Sequence, residues 1–71
     1  MFIKREIVEQ LRKHYPAGTR VRLVRMDDVQ APPIGMLGTV IGVDDIGSIM
    51  VAWDNGSRLH VVYGEDHCEK V

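Results

Sequence analysis

The sequence predicts a mainly β domain, in which a small five-stranded antiparallel barrel is preceded by one N-terminal amphipathic α-helix. The central observation is an apolar run over Ser48–Trp53 that lies between two turn-forming stretches. The second stretch contains Asn55-Gly56, a strong short-range signal for a β-hairpin. The chain before Pro16 has the period of a helix instead. We therefore divide the chain into a helical segment over residues 1–15 and a barrel over residues 16–71.

The helix is predicted over Ile3–His14. Charged residues fill one face, and an apolar stripe recurs every fourth position, at Ile3, Ile7 and Leu11, with Val8 beside it. Pro16 disfavours helical geometry at Tyr15, so the helix ends there. A lone amphipathic helix of this length is unstable in water, so its stripe must be covered. It either caps an open end of the barrel or mediates a contact with a partner, including a homodimer with a second copy.

The first strand is predicted over Thr19–Met26, where Val21 and Leu23 alternate with arginines. Such a basic row could hold phosphates, or it could prevent edge-to-edge pairing of an exposed strand. The following stretch, Asp27–Leu37, is predicted to be irregular because its two prolines, Pro32 and Pro33, have no N–H to donate to a sheet. Long loops often carry function. The apolar residues of this loop either pack inward or face a ligand: Val29, Ile34, Met36 and Leu37.

The remaining strands are predicted over Gly38–Val43, Arg58–Tyr63 and Cys68–Val71. In the first of these, strict alternation places Ile41 and Val43 on one face and Val40 on the other, and Gly42 indicates a bulge or bend. At Asn55-Gly56 we expect a two-residue turn with positive φ at both positions. Five short strands, a long early loop and a helical turn before the last strand are typical of a small SH3-like barrel.

Charge is unevenly distributed along the chain, although the net formal charge is −1. Seven basic and two acidic residues precede Met26, whereas two basic and eight acidic residues follow Arg25. The asymmetry indicates either a basic face for an anionic partner or mutual neutralisation within the fold. A nucleic-acid interface, the alternative function, would use Arg20, Arg22, Arg25 and Lys13.

The sequence offers little for catalysis or metal binding. A domain of this size buries only about 60% of the surface that its unfolded chain exposes, which leaves little room for a catalytic cleft. There is no Ser-His-Asp arrangement and no phosphate-binding glycine loop. The residue types that suit zinc, found at His60, His67 and Cys68, lack a fourth ligand and close spacing. We expect no enzymatic activity, no metal and no cofactor.

The single cysteine, Cys68, cannot form an intrachain disulfide. The N-terminus lacks the apolar core of a signal peptide, and no apolar run reaches membrane-spanning length. We therefore expect a cytoplasmic protein that does not contact a membrane.

Aromatic residues beside the long loop are the candidate binding surface. In a small barrel they can form a shallow groove for an extended peptide, especially a proline-rich one. Trp53 has a second interpretation, as a core or rim residue that covers about 150–250 Å². The predicted partner-binding residues are Tyr15, Pro32, Pro33, Ile34, Met36, Trp53 and Tyr63.

Four blocks of the sequence, in this order, carry a resemblance to a known family: Pro16–Leu23, the Pro32-Pro33 loop, Gly38–Ile49 and Val51–Ser57. In these blocks the chain resembles a family of small, functionally uncharacterised bacterial and phage-borne proteins, over roughly Tyr15 to Val71. The resemblance implies an SH3-like barrel and supplies no catalytic residues. More loosely, the Gly38–Gly56 segment is similar to KOW-type and Mib/Herc-type barrels, which bind nucleic acid or protein.

These observations together favour a non-enzymatic binding module. We expect a small accessory or regulatory protein of bacterial, phage or mobile-element origin, whose partner is another protein or a peptide. The alternative is a KOW-like module that binds nucleic acid through the basic first strand and the helix.

Overall fold

The computed structural model describes residues 4–71, which form one helix and five strands. The elements are α1 (Arg5–His14), β1 (Arg20–Arg25), β2 (Leu37–Val43), β3 (Ser48–Trp53), β4 (Val61–Val62) and β5 (His67–Lys70). The strands form one antiparallel sheet in the order β4-β3-β2-β1-β5. The predicted class, mainly β with five antiparallel strands and an N-terminal helix, is confirmed. Ile3, where the predicted helix begins, lies outside the described residues.

The strand that carries Trp53 has the two predicted neighbours. Gly38 of β2 is opposite Trp53, and Val62 of β4 is opposite Ser48 at the other end of β3. Strand β4 has only two residues, so the prediction of a fourth strand over Arg58–Tyr63 was too long. Its first part leaves the sheet because the Leu59 carbonyl accepts a hydrogen bond from the Trp53 indole Nε1–H at 2.9 Å.

The turn after β3 differs from the predicted two-residue turn. Gly56 N–H donates to the Trp53 carbonyl and Trp53 N–H donates to the Ser57 carbonyl, so three residues form the loop. Within this turn, Gly56 alone has a positive φ, of 91°. Every residue with a positive φ within residues 4–71 is a glycine. This is a type I turn followed by a glycine bulge, a common three-residue hairpin. The Asn55 side chain supports it by accepting a hydrogen bond from Ser57 N–H.

A bulge in β2 changes which side chains face the core. Val40 is opposite Val51 and Gly42 is opposite Met50, so Ile41 is the extra residue. The bulge predicted near Gly42 is confirmed. It shifts the alternation, so Val43 is buried with Val40 while Ile41 is 51% exposed. The predicted grouping of Ile41 with Val43 on one face was therefore wrong.

The core fills the space enclosed by the sheet and α1. Its buried residues come from all six elements and from the start of the long connection: Val8, Val21, Leu23, Met26, Val40, Val43, Ile49, Val51, Trp53, Val61 and Cys68. Gly38 lies beneath Trp53 with no room for a side chain, since a Cβ atom there would be 2.7 Å from the indole Cε3. Trp53 itself is 3% exposed. Trp53 is therefore a core residue, which was the second of the two roles that the sequence suggested for it.

Helix α1 packs on the sheet through part of the predicted apolar side, which included Val8 and Leu11. Val8 is its buried residue, and Leu11 and Tyr15 pack partly buried against the core, whereas Ile7 is only half-buried. Arg12 lies on the sheet side as well: its Nε–H donates to the Val43 carbonyl at 3.1 Å, and its guanidinium pairs with Asp45 at 2.7 Å. The helix is therefore held by apolar burial and by this bridge to the end of β2.

The barrel is not closed by hydrogen bonds. In the sheet formed by residues 4–71, β4 and β5 are the two edge strands and no ladder joins them. The turn between them satisfies its own polar groups: the Val62 carbonyl accepts from Glu65 N–H and Asp66 N–H, and Asp66 Oδ2 accepts from Val62 N–H at 2.9 Å. The two edge strands are therefore not hydrogen-bonded to each other, and a groove lies beside them.

Candidate interaction site

The seam between β4, β5 and the C-terminal end of α1 forms a groove of about 490 Å³, which we call the seam groove. Apolar and aromatic side chains contribute most of its lining: Leu11, Tyr15, Ile49, Val61, Tyr63 and Cys68. Charged and ionisable residues lie around them, at Arg25, Glu65, Asp66 and His67. Such a lining, mainly apolar with a few polar groups at its margin, is typical of ligand and peptide sites.

Two tyrosines predicted to bind a partner lie in this groove. Tyr63 follows β4, lies directly before the turn at Gly64 (φ 88°) and is 51% exposed. Tyr15, at the end of α1, is half-buried and its hydroxyl donates a long hydrogen bond of 3.5 Å to the Cys68 carbonyl. Burial, with a smaller effect from Cys68, raises the pKa of Tyr15. Tyr15 therefore acts as a neutral hydrogen-bond donor that covers the edge of β5.

Two further grooves adjoin the seam groove. One, of about 380 Å³, extends along α1 past Ile7, Gln10 and His14 and shares Leu11, Tyr15 and Tyr63 with it. The other, of about 440 Å³, shares Glu65 and Asp66, and we call it the acidic groove. Its other ionisable lining residues are Asp27, Asp28, Arg58 and His60. An apolar surface and a negatively charged one thus meet at the turn between β4 and β5.

The long connection after β1 is divided between core and surface. Pro32 is buried and Met36 packs against the core, whereas Pro33 and Ile34 are exposed, Ile34 at 64%. None of these four residues lines the three grooves described above. The predicted site is therefore split into Tyr15 and Tyr63 in the seam groove, the loop residues elsewhere, and Trp53 in the core.

The arginines of the nucleic-acid alternative are each paired with a carboxylate. Arg20 contacts Asp54 with two hydrogen bonds of 2.9 and 2.7 Å, which raise the pKa of Arg20 and lower the pKa of Asp54. Arg22 pairs with Glu69, and Arg25 lies 3.6 Å from Asp27. Lys13 is exposed on α1. These three ion pairs join arginines of the basic first part of the chain to carboxylates of the acidic second part.

The residue types that suit zinc are not gathered at one point. Among residues 4–71 no group of three His, Cys, Asp or Glu side chains has a metal-binding arrangement. His67 and Cys68 are successive residues of β5, one exposed and one buried, so they face opposite sides of the sheet. His60 lines the acidic groove instead.

We expect the Cys68 thiol to be nearly inert in the folded protein. Burial raises its pKa from 9.0 to about 11, which reduces the thiolate fraction at pH 8 about 100-fold. Because the folded state holds this proton more tightly, the free energy of unfolding should fall as pH rises from about 9 to about 11. Alkylation by iodoacetamide at pH 8, followed by mass spectrometry with and without urea, checks the first point. Equal rates in both conditions would contradict the burial of this thiol.

One family model covers all the residues that the structure describes. Residues 4–71 match a family model described as a domain of unknown function, DUF4314. The chain belongs to this family. The match to the DUF4314 model begins before α1, so the helix is part of the domain, and the seam groove lies entirely within the matched residues.

No curated protein matches the sequence of this DUF4314 domain. No helix within residues 4–71 has both the length and the apolar character that crossing a membrane requires. Sequence reasoning identified Tyr15 and Tyr63 but missed Leu11, Ile49 and Val61 as groove residues. Because these three side chains are apolar, the sequence predicted only that they would be buried in the core.

Proposed function

We propose that this DUF4314 domain is a non-enzymatic protein-interaction module whose binding site is the seam groove. The observation that carries the proposal is an apolar groove of about 490 Å³ with a half-exposed tyrosine, Tyr63, at its margin. Aromatic side chains in such positions are enriched in protein interfaces, and buried tyrosines often dominate their binding energy.

The groove suits side-chain recognition better than the addition of a strand. Tyr15 already donates to the Cys68 carbonyl at the edge of β5, and Asp66 accepts the N–H of Val62 in β4. A partner strand would have to displace both contacts before it could pair with either edge. An extended peptide that places an apolar side chain between Leu11, Tyr63 and Val61 displaces neither.

The setting of this function is part of the same proposal. The resemblance to small bacterial and phage-borne proteins supports an accessory or regulatory role in a bacterium, a phage or a mobile element. The single unpaired cysteine, Cys68, supports a reducing compartment such as the cytoplasm. Nucleic-acid binding is the less favoured function, because the arginines it would need are engaged with Asp54, Glu69 and Asp27.

Selection from a random displayed peptide library on the immobilised chain tests the proposal. We expect enriched peptides to bind the wild type and the Tyr63→Ser variant to bind them at least about tenfold more weakly, a loss of about 1.4 kcal/mol. Tyr63→Ser should fold, because half of this side chain is already in solvent.

The matched control is Ile46→Ser, which removes another exposed apolar side chain, 70% exposed in the β2–β3 turn and outside the lining of the grooves. Its affinity should equal that of the wild type. Failure to enrich any peptide, or equal binding by Tyr63→Ser, would overturn the proposal.

A further inference from the structure

The charges around the seam groove indicate which peptides it takes. Five arginines are paired with carboxylates of the domain itself, in the pairs Arg5–Glu9, Arg12–Asp45, Arg20–Asp54, Arg22–Glu69 and Arg25–Asp27. Five carboxylates have no ion-pair partner within residues 4–71, namely Glu6, Asp28, Asp44, Glu65 and Asp66. Four cations also have no ion-pair partner within residues 4–71, namely Lys4, Lys13, Arg58 and Lys70, so the unpaired charges of the described residues differ by one, five negative against four positive. Among these four cations, Arg58 alone lines the seam groove or the acidic groove, so the excess of negative charge lies there.

Three of these carboxylates lie next to the apolar site. Asp28, Glu65 and Asp66 line the acidic groove, and two of them, Glu65 and Asp66, line the seam groove as well. Asp28 and Asp66 also accept hydrogen bonds from nearby backbone N–H groups, whereas the Glu65 side chain makes no hydrogen bond within the described residues. Arg58 is the one arginine or lysine in the lining of the acidic groove, which contains four carboxylates.

We propose that the seam groove binds an extended peptide segment in which an apolar side chain is accompanied by a lysine or arginine. This inference rests on the proposed function. The apolar side chain enters the seam groove beside Tyr63, and the cation contacts Glu65 at the junction with the acidic groove. An anionic partner such as nucleic acid is disfavoured at the same place, because the carboxylates repel its phosphates.

Complementary charge at the margin of an apolar site acts mainly on association rate and on the choice of partner. The carboxylate of Glu65 is solvent-exposed, so its attraction for a cation is screened over about 8 Å at physiological ionic strength. The basic residue must therefore be close in sequence to the apolar one. Binding should also weaken as salt rises, but less steeply than for a ligand with many phosphates.

The peptides selected on the wild type provide the test. We expect them to contain lysine or arginine within about three residues of an apolar or aromatic position, a distance of about 10 Å in an extended chain. A synthetic peptide of the enriched sequence should bind Glu65→Lys at least about tenfold more weakly than it binds the wild type. The same peptide with its basic residue replaced by glutamate should bind Glu65→Lys better than it binds the wild type.

Glu6→Lys is the control with the same change in net charge, because Glu6 is exposed on α1 and lines none of the grooves described. It should leave the affinity unchanged. Enriched peptides without basic residues, or equal losses in Glu65→Lys and Glu6→Lys, would overturn the inference. If those peptides still require Tyr63, the interaction module itself stands. Self-association of the wild type that Tyr63→Ser abolishes would instead place a second copy in the groove and overturn the inference.

Discussion

Replacement of Gly38 by alanine is expected to lower the free energy of unfolding by about 1–3 kcal/mol, a large share of the stability of a domain this small. A Cβ atom at this position would be 2.6 Å from Val51 Cγ1 and 2.7 Å from Trp53 Cε3. Real Cβ atoms do not approach other atoms so closely, so β3 or the indole must move. Gly38 is opposite Trp53 in the ladder, so that movement would disturb the pairing of β2 with β3.

Gly42→Ala in the same strand is the matched control. A Cβ atom there would meet only the flexible end of a side chain, Met50 Cε, at 3.4 Å. Neither glycine has a φ in the left-handed region, so alanine adds no backbone strain at either position. Both substitutions restrict the unfolded chain to the same extent, which by itself raises the free energy of unfolding by about 0.4–1 kcal/mol. Urea unfolding followed by Trp53 fluorescence measures both. Equal midpoints for the two variants would contradict the close packing at Gly38.

The central strand could be predicted from sequence because its signals are local. The observed bounds of β3 are the predicted ones, Ser48–Trp53, and both of its neighbours in the sheet were predicted. Both of its turns end in a glycine at positive φ, Gly47 before it and Gly56 after it. Glycine at such positions and an apolar run between them need no information from the rest of the chain.

The sequence-based predictions were wrong where tertiary contacts override a local pattern. Alternation along β2 was misjudged because a bulge adds one residue, Ile41, that no repeating pattern reveals. On α1 the predicted apolar side contained the packing residues Val8 and Leu11, but Arg12 was wrongly placed on the opposite side, because its Nε–H donates to the Val43 carbonyl of the sheet. Strand β4 was predicted too long because the carbonyl of Leu59 is taken by the indole of Trp53.

The site was harder to predict than the fold for a related reason. The seam groove exists because β4 and β5 are edge strands that no ladder joins in the described sheet, a property of strand order and not of any segment. Tyr63 could be suspected from sequence as an aromatic residue beside a turn. Glu65 could not, because its significance depends on which other carboxylates are already paired.

Replacement of Trp53 is expected to have the largest effect on stability of any single change considered. Trp53 is 3% exposed, its ring occupies the space that a Cβ atom at Gly38 would need, and its Nε1–H donates to the Leu59 carbonyl. Trp53→Ala should cost about 3–5 kcal/mol, comparable with the whole free energy of unfolding of a domain this size, so much of the protein should be unfolded. Far-ultraviolet circular dichroism measures this, since the variant has no tryptophan to report by fluorescence.

Trp53→Phe separates the structural role of this residue from a role in binding. It keeps an aromatic ring but removes the donor to Leu59, so a smaller loss of about 1–3 kcal/mol and a folded protein are expected. Because Trp53 does not line the seam groove, folded Trp53→Phe should bind the selected peptides as the wild type does. If folded Trp53→Phe does not bind the peptides, Trp53 contributes to the binding surface. If it binds them as the wild type does, Trp53 has only a structural role, and Tyr63 is the aromatic residue that contacts the peptide.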